Sequence, residues 1–287
     1  MYNNYKYKQG EKMDKYIISI DGAFNVNCEL FKDIEVKCNY LRVYIDKKEF
    51  VYENTKAVHN CYKATSILPR TTGVPLGDYL SFFNEYLDKG YRIFHFAMSK
   101  SVSSSLNSAI VAKNSLDSNN KIEIFETDSF SFGEGLYALN FINLLNKGYD
   151  INKIKEELSL IKNKIHTFIY IAHYEYFNNG GRAFLNSNYK YHLIHMDKEP
   201  VAKLNLYKEF NSSYLESIDI MLESFSAWKP NKDNVYIETL VLSDEMREEL
   251  VKKLKDYGFK NVVVQEGLAL CYAHIGHDAF MISYMGE

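Results

Sequence analysis

Apolar positions in this chain come in short runs broken by polar turns, and their period changes along the sequence. Lys15–Ile20 is a short apolar run stopped by Asp21-Gly22, which predicts a buried first strand and its turn. Leu41–Ile45 reads as a second strand. Within residues 77–89, Leu80, Phe83 and Leu87 recur at helical spacing, and Gly90 follows where a glycine ends a helix. Arg92–Met98 is then a buried strand. Ser103–Lys113 predicts a helix with Leu106, Ala109 and Ile110 inward, Lys121–Phe125 the next strand, and a further helix runs to Lys147-Gly148. Strand and helix alternate, so the fold class is α/β, with an N-terminal doubly wound parallel sheet.

The pattern then changes. A helix over Ile151–Ile165 and a strand over Thr167–Ala172 lead to a hairpin, Tyr191–Met196 with Val201–Tyr207, turned at residues 197–200. Helices over Ser213–Phe225 and Asp244–Tyr257 flank a strand at Val235–Leu242. Val262–Val264 and Leu268–Tyr272 read as extended, and Phe280–Tyr284 closes the chain. This order predicts a second, smaller α+β domain with a mostly antiparallel sheet. The expected division is an N-terminal domain over 1–165 and a C-terminal domain over 166–287, which suits 287 residues, more than one core usually serves.

Charge and cysteines narrow the function class. A net charge of −3 leaves no broad basic field, so nucleic acid is not the expected partner. Lys6, Lys8 and Lys12 mark a short basic segment, read as a solvated tail. Cys28, Cys38, Cys61 and Cys271 show no C-x-x-C spacing, and nothing in the sequence resembles a signal peptide or an uninterrupted transmembrane run. A reducing cytoplasm and no stable membrane insertion are the expectations.

Two hydroxyl-rich stretches carry the candidate chemistry. Pro69-Arg70-Thr71-Thr72 precedes one helix, and Ser99-Lys100-Ser101-Val102-Ser103-Ser104-Ser105 precedes the next. Each is expected at the carboxyl end of a strand, where backbone N–H groups and hydroxyls converge on an anion beside a helix N-terminus. Duller roles stand beside this one. Thr71 and Thr72 could cap the following helix, Asp128 could be an N-cap, Gly180-Gly181 could serve a backbone turn, and Arg182 could be a structural clamp.

These residues, with Pro75, Gly77-Asp78, Asp128-Ser129, Ser131-x-Gly133-x-Gly135, Tyr176, Gly180-Gly181-Arg182 and His274-Ile275-Gly276, resemble in order the landmarks of the DegV family of bacterial fatty-acid-binding proteins. The resemblance spans nearly the whole chain. It implies a long-chain fatty acid held between two domains with its carboxylate at the Thr and Ser turns. It also implies a carrier, or a subunit presenting the acid to a fatty acid kinase, that is not itself an enzyme and needs no cofactor. Under it the ligand-binding residues are Thr71, Thr72, Ser99, Lys100, Ser103 and His274, and Arg182 is a partner contact. Hydrogen bonds to a charged acceptor contribute roughly 1.5–3 kcal/mol each, so two or three fix such a head group.

The chain also departs from the family. Lys100 stands where a second serine is usual, and its ammonium would either pair with the carboxylate or fill the pocket mouth. His277-Asp278 replaces a Pro-Gly or Pro-His, and the segment that roofs the acyl tunnel after Arg182 is abbreviated. An alternative is therefore a divergent member that has lost acyl binding and serves as a small-anion-binding or interaction module. A serine hydrolase using Ser99, His274 and Asp128 comes third, because no G-x-S-x-G elbow is present. His192-x-x-His195 and His274-x-x-His277 fall in predicted strand or loop with no third ligand at a recognisable spacing, so no metal is expected.

Overall fold

The computed structural model describes residues 6–9, 12–32, 34–52, 55–117 and 119–287, with only the backbone over 6–14. In the first half, β1 (Lys6–Gln9), β2 (Lys12–Asp21), β3 (Val36–Asn39), β4 (Arg42–Ile45) and β5 (Lys48–Phe50) precede α1 (Thr55–Thr65). Then come β6 (Arg70–Thr72), α2 (Leu76–Asp88), β7 (Arg92–Ala97), α3 (Ser105–Leu116), β8 (Ile122–Glu126), α4 (Ser131–Asn146) and α5 (Ile151–Ile161). β2, β7 and β8 run parallel side by side, and the outer edge of β2 is shared by β1, antiparallel, and β3, parallel. β4 pairs antiparallel with both β5 and β6 in a separate three-stranded sheet. The basic segment expected as a solvated tail thus begins as a paired strand, and its side chains lie outside the described residues.

The second half builds a six-stranded sheet. Its elements are β9 (Ile165–Ile171), α6 (Tyr174–Gly180), β10 (Tyr191–Asp197), β11 (Lys203–Phe210), α7 (Tyr214–Phe225), β12 (Pro230–Leu240), α8 (Asp244–Tyr257), β13 (Asn261–Glu266), α9 (Ala269–Ile275) and β14 (Ala279–Gly286). The order is β11-β10-β9-β14-β12-β13, antiparallel except for the β12–β13 pair. The expected α/β class, with a parallel sheet followed by a mostly antiparallel one, is the observed architecture.

Strand alternation assigns side chains to layers. Ile18, Ile20, Phe94 and Phe96 face α4 and α5, whereas Ile17 and Ile93 face α2 and α3. All of β7 and β9 is buried, as expected of central strands covered on both faces. In the second sheet, Phe168 and Tyr170 pack toward α7 and α8, while Ile169 and Ile171 join Tyr79, Phe83 and Ala109 in a core that continues across to the parallel sheet. Local signals set several ends. Ser213 and Glu216 form a reciprocal capping box on α7, and Gly90 takes φ +80° after α2.

Three expectations fail for identifiable reasons. Leu268–Tyr272, read as extended, belongs mostly to helix α9. All of that helix except His274 is buried, so it has no polar face to reveal a helical period. Ile110 is 40% exposed, because α3 turns Leu106, Ala109 and Ala112 inward instead. The helix expected to reach Ile165 ends at Ile161 in a 3₁₀ turn, and Ile165 opens β9.

Candidate ligand-binding site

Where the two large sheets meet lies a narrow cavity, partly open to solvent. Ala23 after β2, and Met98 and Val102 after β7, form one wall at the carboxyl edge of the parallel sheet. Ile169 and Met281 of the second sheet, Phe177 of α6, and Leu270 and Cys271 of α9 face them. Apart from Arg182 and His274, every wall residue is apolar or the neutral Cys271 thiol, whose ionisation burial opposes. Such a lining favours an aliphatic ligand, at about 0.8 kcal/mol per buried methylene.

The polar end is a relay of three side chains from distant parts of the chain. Arg182 reaches in from the loop after α6, its Nη1 2.6 Å from the Gly180 carbonyl and 3.4 Å from His274 Nδ1, with Nε 3.2 Å from the Val102 carbonyl. On the far side of the ring, His274 Nε2 lies 3.1 Å from Thr71 Oγ1. Burial and the neighbouring guanidinium push His274 down to about 3, so the imidazole is neutral at physiological pH. Guanidinium only donates, so Nδ1 accepts and Nε2–H donates to Thr71, which leaves the threonine hydroxyl proton free for an anion. Close approach requires a glycine at 180, because a Cβ there would stand 2.7 Å from His274 Nδ1.

A buried network holds the adjacent Ser turn. The Asp21 carboxylate accepts from the Met98 N–H at 3.1 Å and from the Tyr79 hydroxyl, and the Asp21 N–H donates to Glu134 Oε1 at 3.1 Å. Glu134 is fully buried, and burial together with Asp21 pushes its carboxyl well above the usual range. The neutral form of Glu134 is thereby favoured beside Asp21. Ser99 is buried next to Met98, with Oγ 2.9 Å from Ser101 Oγ.

A sequence model of the DegV family, described as an uncharacterised protein family, matches residues 15–287. The chain belongs to the DegV family. A DegV domain-containing protein of Clostridium perfringens is 26% identical over 180 residues, covering 59% of this chain and 61% of the relative. One from Staphylococcus aureus is 25% identical over 113 residues, covering 39% and 40%. The matches thus span less than two thirds of these relatives' lengths. Among solved structures, a DegV lipid-binding protein of Thermotoga maritima superposes with a TM-score of 0.82 at 17% identity, covering 95% of this chain and 98% of that one. A fatty-acid-binding DegV protein of Thermus thermophilus gives 0.81 at 16%, covering 94% and 99%. At these identities the structural likeness shows the DegV fold.

In this DegV-family chain the residues singled out from sequence divide into two groups. Thr71, His274 and Arg182 converge on the polar end, and Ser99 sits in the turn that supplies Met98 and Val102. Thr72 is exposed, because residues 70–72 form a strand and successive side chains face opposite ways. Neither threonine caps α2, whose N-cap position is Pro75. Ser103 bonds Ser105 Oγ at 2.8 Å and accepts the Ser105 N–H, and Ser105 Oγ in turn accepts the Val74 N–H, so these hydroxyls bind the turn together. Lys100 is exposed, and both its backbone N–H and its Nζ, at 3.1 and 3.3 Å, reach the Glu126 carboxylate. The structure does not bring Lys100 to the cavity. Asp128 pairs with Lys162 and caps no helix, since Phe130 holds the N-cap position of α4. His274 and Asp128 have other partners, Thr71 with Arg182 and Lys162, so the Ser-His-Asp arrangement of a hydrolase is not assembled. Sequence reading missed Phe177, Cys271 and Met281, whose apolar side chains carry no local sign of lining a cavity. Among the described residues no helix is long and apolar enough to cross a membrane.

Proposed function

We propose that this chain binds one long-chain fatty acid, with the acyl chain in the cavity between the sheets and the carboxylate at Thr71, Ser99 and the His274–Arg182 pair. One observation carries the reading: an apolar slot ends at a neutral imidazole wedged between a guanidinium and a threonine hydroxyl. The guanidinium supplies countercharge, the hydroxyl a directed hydrogen bond, and the slot the larger part of the binding energy. The solved DegV structures described as lipid-binding or fatty-acid-binding support it. The protein acts as a cytoplasmic carrier or as the substrate-presenting subunit of a fatty acid kinase, without catalysis of its own. Arg182, on an exposed loop at the rim, is the residue we assign to contact with that kinase.

Lipid extraction from the purified chain, followed by mass spectrometry and native mass spectrometry of the intact protein, tests the reading. One fatty acid per chain is expected. A chain that carries no acid, and takes none up when a long-chain acid is added, would establish the alternative of a module that has lost acyl binding.

A further inference from the structure

A second cluster of chemistry lies beyond the polar end of the cavity, where β9 runs into α6 and α9 runs into β14. Asp278 Oδ2 is 2.9 Å from His277 Nδ1 and 3.5 Å from His173 Nε2, and the two imidazole rings have centroids 3.7 Å apart. One donor atom from each of the three residues lies within 4.8 Å of the others. In a tetrahedral zinc site with bonds of about 2.0–2.1 Å, neighbouring donors stand about 3.3 Å apart. Two of the three edges are therefore already near the spacing that an ion would impose.

The surroundings fit an ion as well. His173 Nδ1 faces the Glu175 carboxylate at 3.5 Å, so the tautomer with its proton on Nδ1 keeps a partner there and leaves Nε2 to a metal ion. A carboxylate behind a ligating imidazole is the usual orienting arrangement in zinc sites. All three donors are partly exposed, so an ion has an entry path and water can complete the coordination.

We propose that His173, His277 and Asp278 form a zinc site with one open position, tying α6 to the turn between α9 and β14. Two imidazoles and one carboxylate suit a borderline transition metal, whereas magnesium and calcium take oxygen donors. The ion would anchor two seven-residue helices, α6 with Phe177 and Gly180 and α9 with His274, which together form the polar end of the cavity. The pair of histidines implied by sequence spacing, His274 and His277, is not the pair used. His274 is occupied by Thr71 and Arg182, and His173 supplies the second imidazole from 104 positions away.

The test uses the full chain dialysed against a chelator, titrated with Zn²⁺ by calorimetry and with Co²⁺ by visible absorption. One equivalent of each should bind, Co²⁺ giving the intense bands of a four-coordinate site, and Zn²⁺ should raise Tm. His277→Gln and His173→Gln should weaken Zn²⁺ binding more than a hundredfold. Asp278→Asn serves as a third variant because asparagine tolerates the φ of +49° at this position. Glu175→Gln, one step removed from the ion, should cost about 10- to 100-fold. Circular dichroism of the metal-free variants matching that of the parent protein establishes that they fold. No saturable Zn²⁺ binding, or binding unchanged in both Asp278→Asn and His277→Gln, would overturn the assignment.

Discussion

Replacing Glu238 by glutamine should remove that residue's share of the loss of stability between weakly acidic and weakly alkaline pH. Glu238 sits on β12, fully buried, with Ser131 donating to Oε2 and Gln265 Nε2 donating to Oε1 at 3.3 Å. Burial raises its carboxyl from the usual 4.5 to about 8, against the opposing effect of those two hydrogen bonds. Between these values the folded chain keeps a proton that the unfolded chain releases. The stabilisation is therefore complete below about pH 4.5 and is lost as pH rises toward 8, by about 1.4 kcal/mol per pH unit. Over the whole window the loss reaches about 4–5 kcal/mol, a large part of a typical folding free energy. Glutamine keeps the shape, accepts from Gln265 and donates to Ser131, but does not titrate. Urea unfolding of both proteins at about pH 5 and about pH 8 should show similar stability at the lower pH and a variant more stable by about 4 kcal/mol at the higher. Glu134, also raised, is common to both proteins and cancels in the difference. Parallel stability curves would refute the claim that Glu238 is neutral in the fold. The result bears on the cavity too, because the Cys271 thiol in its wall lies 4.0 Å from Glu238 Oε2, and an ionised carboxylate there would set a charge behind an apolar tunnel.

Three further outcomes are expected at the site. Thr71→Val keeps the side-chain shape and removes the hydroxyl, so fatty-acid affinity in a fluorescence titration should fall by roughly 1.5–3 kcal/mol, with melting unchanged. Gly180→Ala should displace His274 from the relay and weaken binding, because the new methyl would stand 2.7 Å from Nδ1; equal affinity would show that the ring needs no such fit. Lys100→Ser should leave affinity unaltered and alter stability by no more than about 1 kcal/mol, since it removes only an exposed pair with Glu126; a clear change in lipid affinity would return Lys100 to the site.

What the sequence determined by itself is the alternation of the long strands and helices, whereas α1, α6 and the short strands β3, β5 and β6 carried too little period to be expected. The continuous apolar run of Arg92–Met98 announced a buried strand, Gly90 marked a helix end, and Ser213 stood at the expected start of another helix. Each of these rests on a few neighbouring residues, whose period and cap chemistry act within one or two turns of chain. The sequence order of Thr71, Ser99, Arg182 and His274 was equally legible as the pattern of a family. Which side chains face one another was not. The pleat of β6 separates Thr71 from Thr72, Glu126 draws Lys100 outward, and a uniformly buried stretch becomes helix α9 without any amphipathic stripe. His274 meets Arg182 and Thr71, and His173 meets His277 and Asp278, only because α6 and α9 pack together at the seam between the sheets. Local periodicity sets which face of an element is buried, whereas the partners across that face follow from the packing of whole layers, which depends on contacts distant in sequence.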